Sequence, residues 1–171
     1  MNRLKNILAG VVVILCIASC VARAGDVFSV EPKAGVIALR GEALDDISPL
    51  VGIQADWEID DTFGLRLGYE YAKADISDGS NLTLSRFPLM ITTPLRKHNG
   101  IGKNFYMGFG GVATIAHYSD GHYPDVNKLG PAIMVGWKAS KHLSAELQYD
   151  SMKRQGRNYG GISLSFSYEG L

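Results

Sequence analysis

Residues 51–72 read VGIQADWEIDDTFGLRLGYEYA, and two alternating runs meet there across a polar turn. In the first, Val51, Ile53, Ala55, Trp57 and Ile59 are separated by Gly52, Gln54, Asp56 and Glu58. In the second, Phe63, Leu65, Leu67, Tyr69 and Tyr71 alternate with Gly64, Arg66, Gly68, Glu70 and Ala72. Successive side chains of a strand point to opposite faces, so this spacing puts the apolar set on one face and the polar set on the other. Asp60-Asp61 supplies the turn, and the segment reads as two antiparallel strands joined by a tight connection.

The same period recurs on either side. Leu143, Ala145, Leu147 and Tyr149 alternate with Ser144, Glu146, Gln148 and Asp150, and Ile162, Leu164, Phe166 and Tyr168 alternate with Ser163, Ser165 and Ser167. Four further segments are less regular. Residues 33–41 set Gly35, Ile37 and Leu39 against Ala34, Val36, Ala38 and Arg40. Residues 82–95 begin on Leu82 and Leu84, then change parity to Phe87, Leu89 and Ile91, which predicts a bulge near Arg86. Residues 105–119 set Phe105, Met107, Phe109, Ala113 and Ile115 against Gly108, Gly110, Thr114 and Ala116. Residues 128–138 set Leu129, Ile133, Val135 and Trp137 against Gly130, Ala132, Met134 and Gly136. Pro88, Pro94 and Pro131 are awkward in central strands and blur the boundaries. The pattern predicts an all-β, antiparallel, up-and-down barrel of about eight strands. Connections after the second and sixth strands are short, Asp60-Asp61 and Ala139-Ser140-Lys141, with residues 96–104 after the fourth. The others, Gly41–Ser48, Asp75–Asn81, Asp120–Asn127 and Lys153–Asn158, are longer. Outer-membrane barrels show that contrast between short periplasmic turns and longer external loops.

A soluble barrel hides its apolar face inside, whereas a small membrane barrel turns it to lipid and fills its lumen with polar side chains. Here the polar face carries Arg40, Gln54, Asp56, Glu58, Arg66, Glu70, Arg86, Glu146, Gln148 and Asp150, with both signs of charge and interleaved Gly and Ser. That mixture suits a narrow lumen in which ions pair. Trp57, Phe63, Phe105, Trp137 and Tyr168 lie near strand ends on the apolar face and read as a periplasmic-side aromatic girdle, with Tyr69, Tyr71 and Tyr149 as part of an outer one. A transmembrane barrel is therefore expected, against a secreted soluble barrel or sandwich as the alternative.

The leader agrees with that destination. Arg3 and Lys5 precede an apolar run from Ile7 to Ala18, and Ala22-Arg23-Ala24 offers small residues at −3 and −1, so residues 1–24 read as a signal peptide and 25–171 as the barrel domain. Ile17-Ala18-Ser19-Cys20 also resembles a lipobox, which leaves lipidation at Cys20 as the competing outcome. With cleavage after Ala24 both cysteines, Cys16 and Cys20, leave with the leader, and no disulfide or thiolate metal site is available. The full chain has 17 basic and 17 acidic residues; losing Arg3, Lys5 and Arg23 leaves 14 against 17, or −3. A mildly acidic domain gives no electrostatic reason to expect a nucleic-acid partner.

Residues 33–168 resemble the small outer-membrane β-barrel superfamily of OmpA-type and opacity-type barrels. The run from Gly161 to Tyr168 is similar to the terminal strand that the barrel insertion machinery recognises, although Glu169-Gly170-Leu171 follow where such barrels usually end on an aromatic residue. The resemblance implies location in the Gram-negative outer membrane, with outer-membrane lipid, lipopolysaccharide and the insertion machinery as partners, a monomeric state, and a structural, adhesive or surface-interaction role through the outer loops. A weaker similarity, to lipid A deacylases, implies a lipid A-modifying acyl hydrolase as the alternative. Those enzymes carry an H-x-S-N motif on a late strand, where this chain reads Gln148-Tyr149-Asp150-Ser151.

An H-x-S does occur earlier, as His117-Tyr118-Ser119. Period two places His117 and Ser119 on one face, where a histidine base could serve a serine nucleophile if an acid oriented it. Asp120, Asp150 and Glu70 are the candidate acids; the first falls in a loop and the other two should point into the lumen. His98, His117, His122 and His142 show no compact metal spacing, so no metal is expected. Gly108, Gly110 and Gly111 sit inside a strand pattern rather than a phosphate-cradling loop, and no cofactor is expected.

Overall fold

The computed structural model describes residues 27–39, 47–60, 62–75, 81–95, 104–119, 126–154, 157–158 and 160–168. The leader with both cysteines, Arg40, Asp61, His98, Asp120, His122 and most of the connecting segments lie outside the described residues. The described residues hold ten strands: β1 (Val27–Leu39), β2 (Ile47–Glu58), β3 (Gly64–Asp75), β4 (Asn81–Pro94), β5 (Phe105–Tyr118), β6 (Val126–Lys138), β7 (Leu143–Asp150), β8 (Lys153–Arg154), β9 (Arg157–Asn158) and β10 (Gly161–Tyr168). Eight of them close an antiparallel barrel in which each pairs with its neighbour along the chain and β10 pairs with β1, while β8 and β9 form a separate two-stranded ribbon.

Closure carries a fixed stagger. Following paired residues around the wall leads from Phe28 to Trp57, Leu65, Ile91, Phe109, Ile133, Tyr149 and Ile162, and returns to β1 at Ala38, ten residues beyond the start. Eight strands with that shear make a narrow, steeply tilted barrel, at roughly 35–45° to its axis, whose interior is just wide enough for side chains.

One end holds the tight connections and both ends of the barrel sheet; we call it the turn end, and the other the loop end. Two turns there share one design. Ile59 and Asp60 donate their N–H groups to Phe63 O at 3.0 and 3.1 Å, and Ala139 and Ser140 donate theirs to Leu143 O at 2.9 and 3.2 Å. In each, a short polar side chain accepts the freed backbone donors: Asp60 Oδ1 takes Thr62 and Phe63 N–H at 2.6 and 2.8 Å, and Ser140 Oγ takes His142 and Leu143 N–H at 3.2 and 3.1 Å. Such local bonds are why Asp and Ser favour turns.

The strands β7 and β10 coincide with the expected runs, but β1 begins six residues before the run at 33–41. The bulge expected near Arg86 is absent. From Gly64↔Thr92 to Asp75↔Asn81 and from Leu82↔Tyr118 to Pro94↔Tyr106 the pairing keeps one register, with Arg86 opposite Glu70 and Thr114. Even positions of β4 are buried inward from Leu82 to Met90, so Leu82 and Leu84 are lumen residues and only the character of the lumen changes. The first strand is corrected likewise: Ile37 and Leu39, on the apolar side of that run, are buried inside, and Val36 faces out.

Candidate functional site

Inside the barrel, side-chain chemistry divides by height. Toward the turn end Glu31, Lys33, Gln54, Arg66, Glu70, Arg86, Glu146, Gln148 and Asp150 are buried. Toward the loop end the same strands turn apolar: Ile37, Leu39, Leu50, Ala72, Ala74, Leu82, Leu84, Ala116, Tyr118, Val126 and Met152 form one cluster.

The ions are interlocked. Lys33 Nζ lies 2.8 Å from Glu70 Oε1 and 3.1 Å from Glu146 Oε2. Arg86 pairs with Glu70 at 2.9 Å through one terminal nitrogen and with Asp150 through the other. Arg66 binds both oxygens of Asp56, at 2.5 and 2.8 Å, and also reaches Glu146. Three cations thus pair with four carboxylates, and Glu31 is held by neutral donors alone. Tyr106 Oη donates to Glu146 at 2.5 Å, Ser167 Oγ to Glu31 at 2.6 Å, and Gln54 Nε2 to Glu31 and Asp56 at 3.0 and 3.2 Å. A buried charge is tolerable only when it is paired or hydrogen-bonded, and each of these ions has at least one such partner, although Arg86 Nε and Gln148 Nε2 have no hydrogen-bond partner.

Tyr106 can reach its position because Gly136 gives way. A Cβ on Gly136 would lie 2.0 Å from the Tyr106 ring, and the Arg66 guanidinium sits 5.1 Å from the ring centroid. Of the polar-face residues read from sequence, Glu58 is not in the lumen; it is exposed at the turn end, 3.8 Å from Lys138. Glu31 and Lys33 are the lumen ions that the sequence reading missed.

Outside, apolar side chains cover the wall. Phe28, Phe63 and Trp137 are exposed near the turn end, where Phe105 stacks on Trp137 at 6.4 Å between centroids. Tyr69, Tyr71, Phe87 and Tyr149 are exposed nearer the loop end, with Tyr69 and Phe87 5.2 Å apart. Between these aromatic levels lie Ile53, Leu89, Ile91, Phe109, Ile133, Leu147 and Leu164, all exposed. The apolar stretch covers about ten residues of tilted strand, a band on the order of 25 Å tall.

His117 and Ser119 are both exposed on the outward side near the loop end. Ser119 Oγ accepts the Asn81 N–H at 3.0 Å, and Ser119 N donates to Asn81 O at the same distance. Glu70 and Asp150 lie on the other side of the wall, engaged with Lys33 and Arg86. Among the described residues no three His, Cys, Asp or Glu side chains converge to hold a metal ion.

Neither a protein-family profile nor a curated protein sequence matches the chain. Solved structures do. Neisserial surface protein A superposes with a TM-score of 0.65 at 14% identity, covering 85% of this chain and 99% of that one. The outer membrane protein OprG of Pseudomonas aeruginosa gives 0.54 at 13% identity, covering 85% and 96%. Ail, the attachment invasion locus protein of Yersinia pestis, gives 0.53 at 12% identity, covering 85% and 97%. Low identity over nearly whole chains, together with a closed eight-stranded antiparallel wall, establishes that this protein has the fold of the small outer-membrane β-barrels.

Proposed function

We propose that the protein is exported and set in the bacterial outer membrane, turn end toward the periplasm, as a non-enzymatic barrel with a structural, adhesive or surface-interaction role. One observation carries this reading: the wall is apolar outside and ionic inside. Water would reverse that order, because exposing the outer band costs about 25 cal/mol per Å² while the buried ions would be better solvated. Lipid favours it, since a closed barrel also satisfies every strand hydrogen bond internally. The plugged lumen argues against a diffusion pore, so contact with partners falls to the outer connections.

Those connections differ in charge. Residues 40–46 hold Arg40, Glu42, Asp45 and Asp46; residues 76–80 hold Asp78; residues 119–125 hold Asp120 and Asp125. The last, residues 151–160, holds Lys153, Arg154 and Arg157 and no acid. The ribbon β8–β9 within it pairs Arg154 with Arg157 in backbone register. Ail has been solved with the heparin analogue sucrose octasulfate, which supplies a precedent for an anionic partner on this fold.

The test is cell fractionation with native gels. The protein should partition with outer membranes and migrate differently before and after boiling. Recovery as a soluble periplasmic species would sink the reading.

A further inference from the structure

On β1, β2 and β10 the described outward face stays apolar toward the loop end, as at Val36, Ile47 and Ile162. On β3, β4 and β5 it does not. Lys73 pairs in register with Thr83, and Thr83 with His117. One step toward the turn end Ser85 lies between Tyr71 and Ile115; one step the other way Asn81 lies opposite Asp75 and is hydrogen-bonded to Ser119. Lys73 and His117 are exposed, Thr83 and Ser85 half-buried. Among the described residues no carboxylate pairs with Lys73. The patch thus combines a cation with hydroxyl and imidazole groups at one height, directly above the upper aromatic level of the band.

We propose that the Lys73–Thr83–His117 row is a headgroup site for a phosphorylated lipid of the outer leaflet. This rests on the membrane reading above. An ammonium takes a phosphate oxygen through a charge-assisted bond, and the threonine hydroxyl and the imidazole supply further hydrogen bonds to the same group or to sugar hydroxyls. Height chooses the occupant. A soluble anion gains the row alone, whereas a lipid also lays its acyl chains on Tyr71, Ile115 and Phe87 immediately below, all of them exposed. Among the described residues the rim at Ile47 and Val36 is apolar, so the site is assigned to the β3–β5 side of the barrel.

The barrel purified from outer membranes in detergent is titrated by native mass spectrometry with lipid A bearing its phosphates, with dephosphorylated lipid A, and with inorganic phosphate as competitor. Saturable binding of the phosphorylated lipid is expected, with the dephosphorylated form weaker by about tenfold, the scale of one charge-assisted contact. Lys73→Ala and Thr83→Val should each weaken binding by roughly five- to tenfold on the same scale. Lys73→Arg should retain it, and Ile47→Ser on the other side should change nothing. Equal binding of the two lipids, wild-type affinity in Lys73→Ala, or displacement by inorganic phosphate would each overturn the proposal. Lipid A from expressing cells should keep every acyl chain; loss of one chain that depends on both His117 and Ser119 would make the patch hydrolytic and overturn it as well. Heat-dependent migration of each variant reports folding. A wild-type barrel without that migration fails the membrane reading, while a folded barrel that does not bind fails only this one.

Discussion

Arg86 reaches Glu70 at 2.9 Å with one terminal nitrogen and Asp150 with the other, and none of its surface touches solvent. Glu70 also holds Lys33 at 2.8 Å, so Arg86 is one link in a chain that crosses the lumen. Removing it leaves two carboxylates short of a cation in a place water does not reach. Breaking a buried pair from one side costs about 3–5 kcal/mol, whereas removing both sides together is often close to neutral. Arg86→Met should therefore lower the stability of the folded barrel by about that amount in urea titrations followed by the fluorescence of Trp57 and Trp137. Adding Glu70→Gln and Asp150→Asn to the same chain should restore more than half of the loss. A single substitution within about 0.5 kcal/mol of wild type would show that the lumen is wetter than the ion-pair geometry implies. Parity alone revealed Glu70, Glu146 and Asp150 as lumen residues, because each sits inside a strict alternation; Arg86 was read on the polar face although the same segment was expected to bulge there. Glu31 and Lys33 escaped because the first run was begun at residue 33 with Gly35, Ile37 and Leu39 as its apolar set, and both ions share that parity, which in fact faces the lumen.

Among the elements, the two tight turns carry the most local information. Both return the backbone through a carbonyl that accepts two N–H groups, and both use the second residue's side chain to hold the following donors. Asp60→Ala and Ser140→Ala should each cost about 1 kcal/mol, the usual net worth of such a bond, with Asp60→Asn close to wild type because the amide oxygen can take the same donors. Unfolding midpoints for the three variants check this; an Asp60→Asn as damaged as Asp60→Ala would shift the cause from the bonds to the charge. Strands β7 and β10 were legible to the residue because alternation runs unbroken across all eight positions of each. In β4 the same rule misled. It assumes a lumen of one character, but the loop-end lumen is apolar, so Leu82 and Leu84 looked like outward residues and their change of parity looked like a bulge.

At the scale of the whole molecule, the lumen is sealed twice by different physics. Its ionic zone is filled by long side chains that hold one another, and its loop end is filled by Ile37, Leu39, Leu50, Leu82, Leu84, Tyr118 and their neighbours. An ion entering from the turn end would have to displace a carboxylate or a guanidinium from its partners and then cross an unpaired apolar layer, where a charge costs several kcal/mol or more. Eight strands leave no spare width around those side chains. Purified protein in planar bilayers should therefore show no stable single-channel steps, and substitutions confined to the ionic zone, Arg86→Met included, should leave it silent because the apolar layer remains. Truncating Leu39, Leu50, Leu82 and Leu84 together to Ala should also leave it silent, because the ion pairs below still close the path. Only variants that open both layers should conduct. Large, long-lived currents from the wild-type barrel would contradict the double seal.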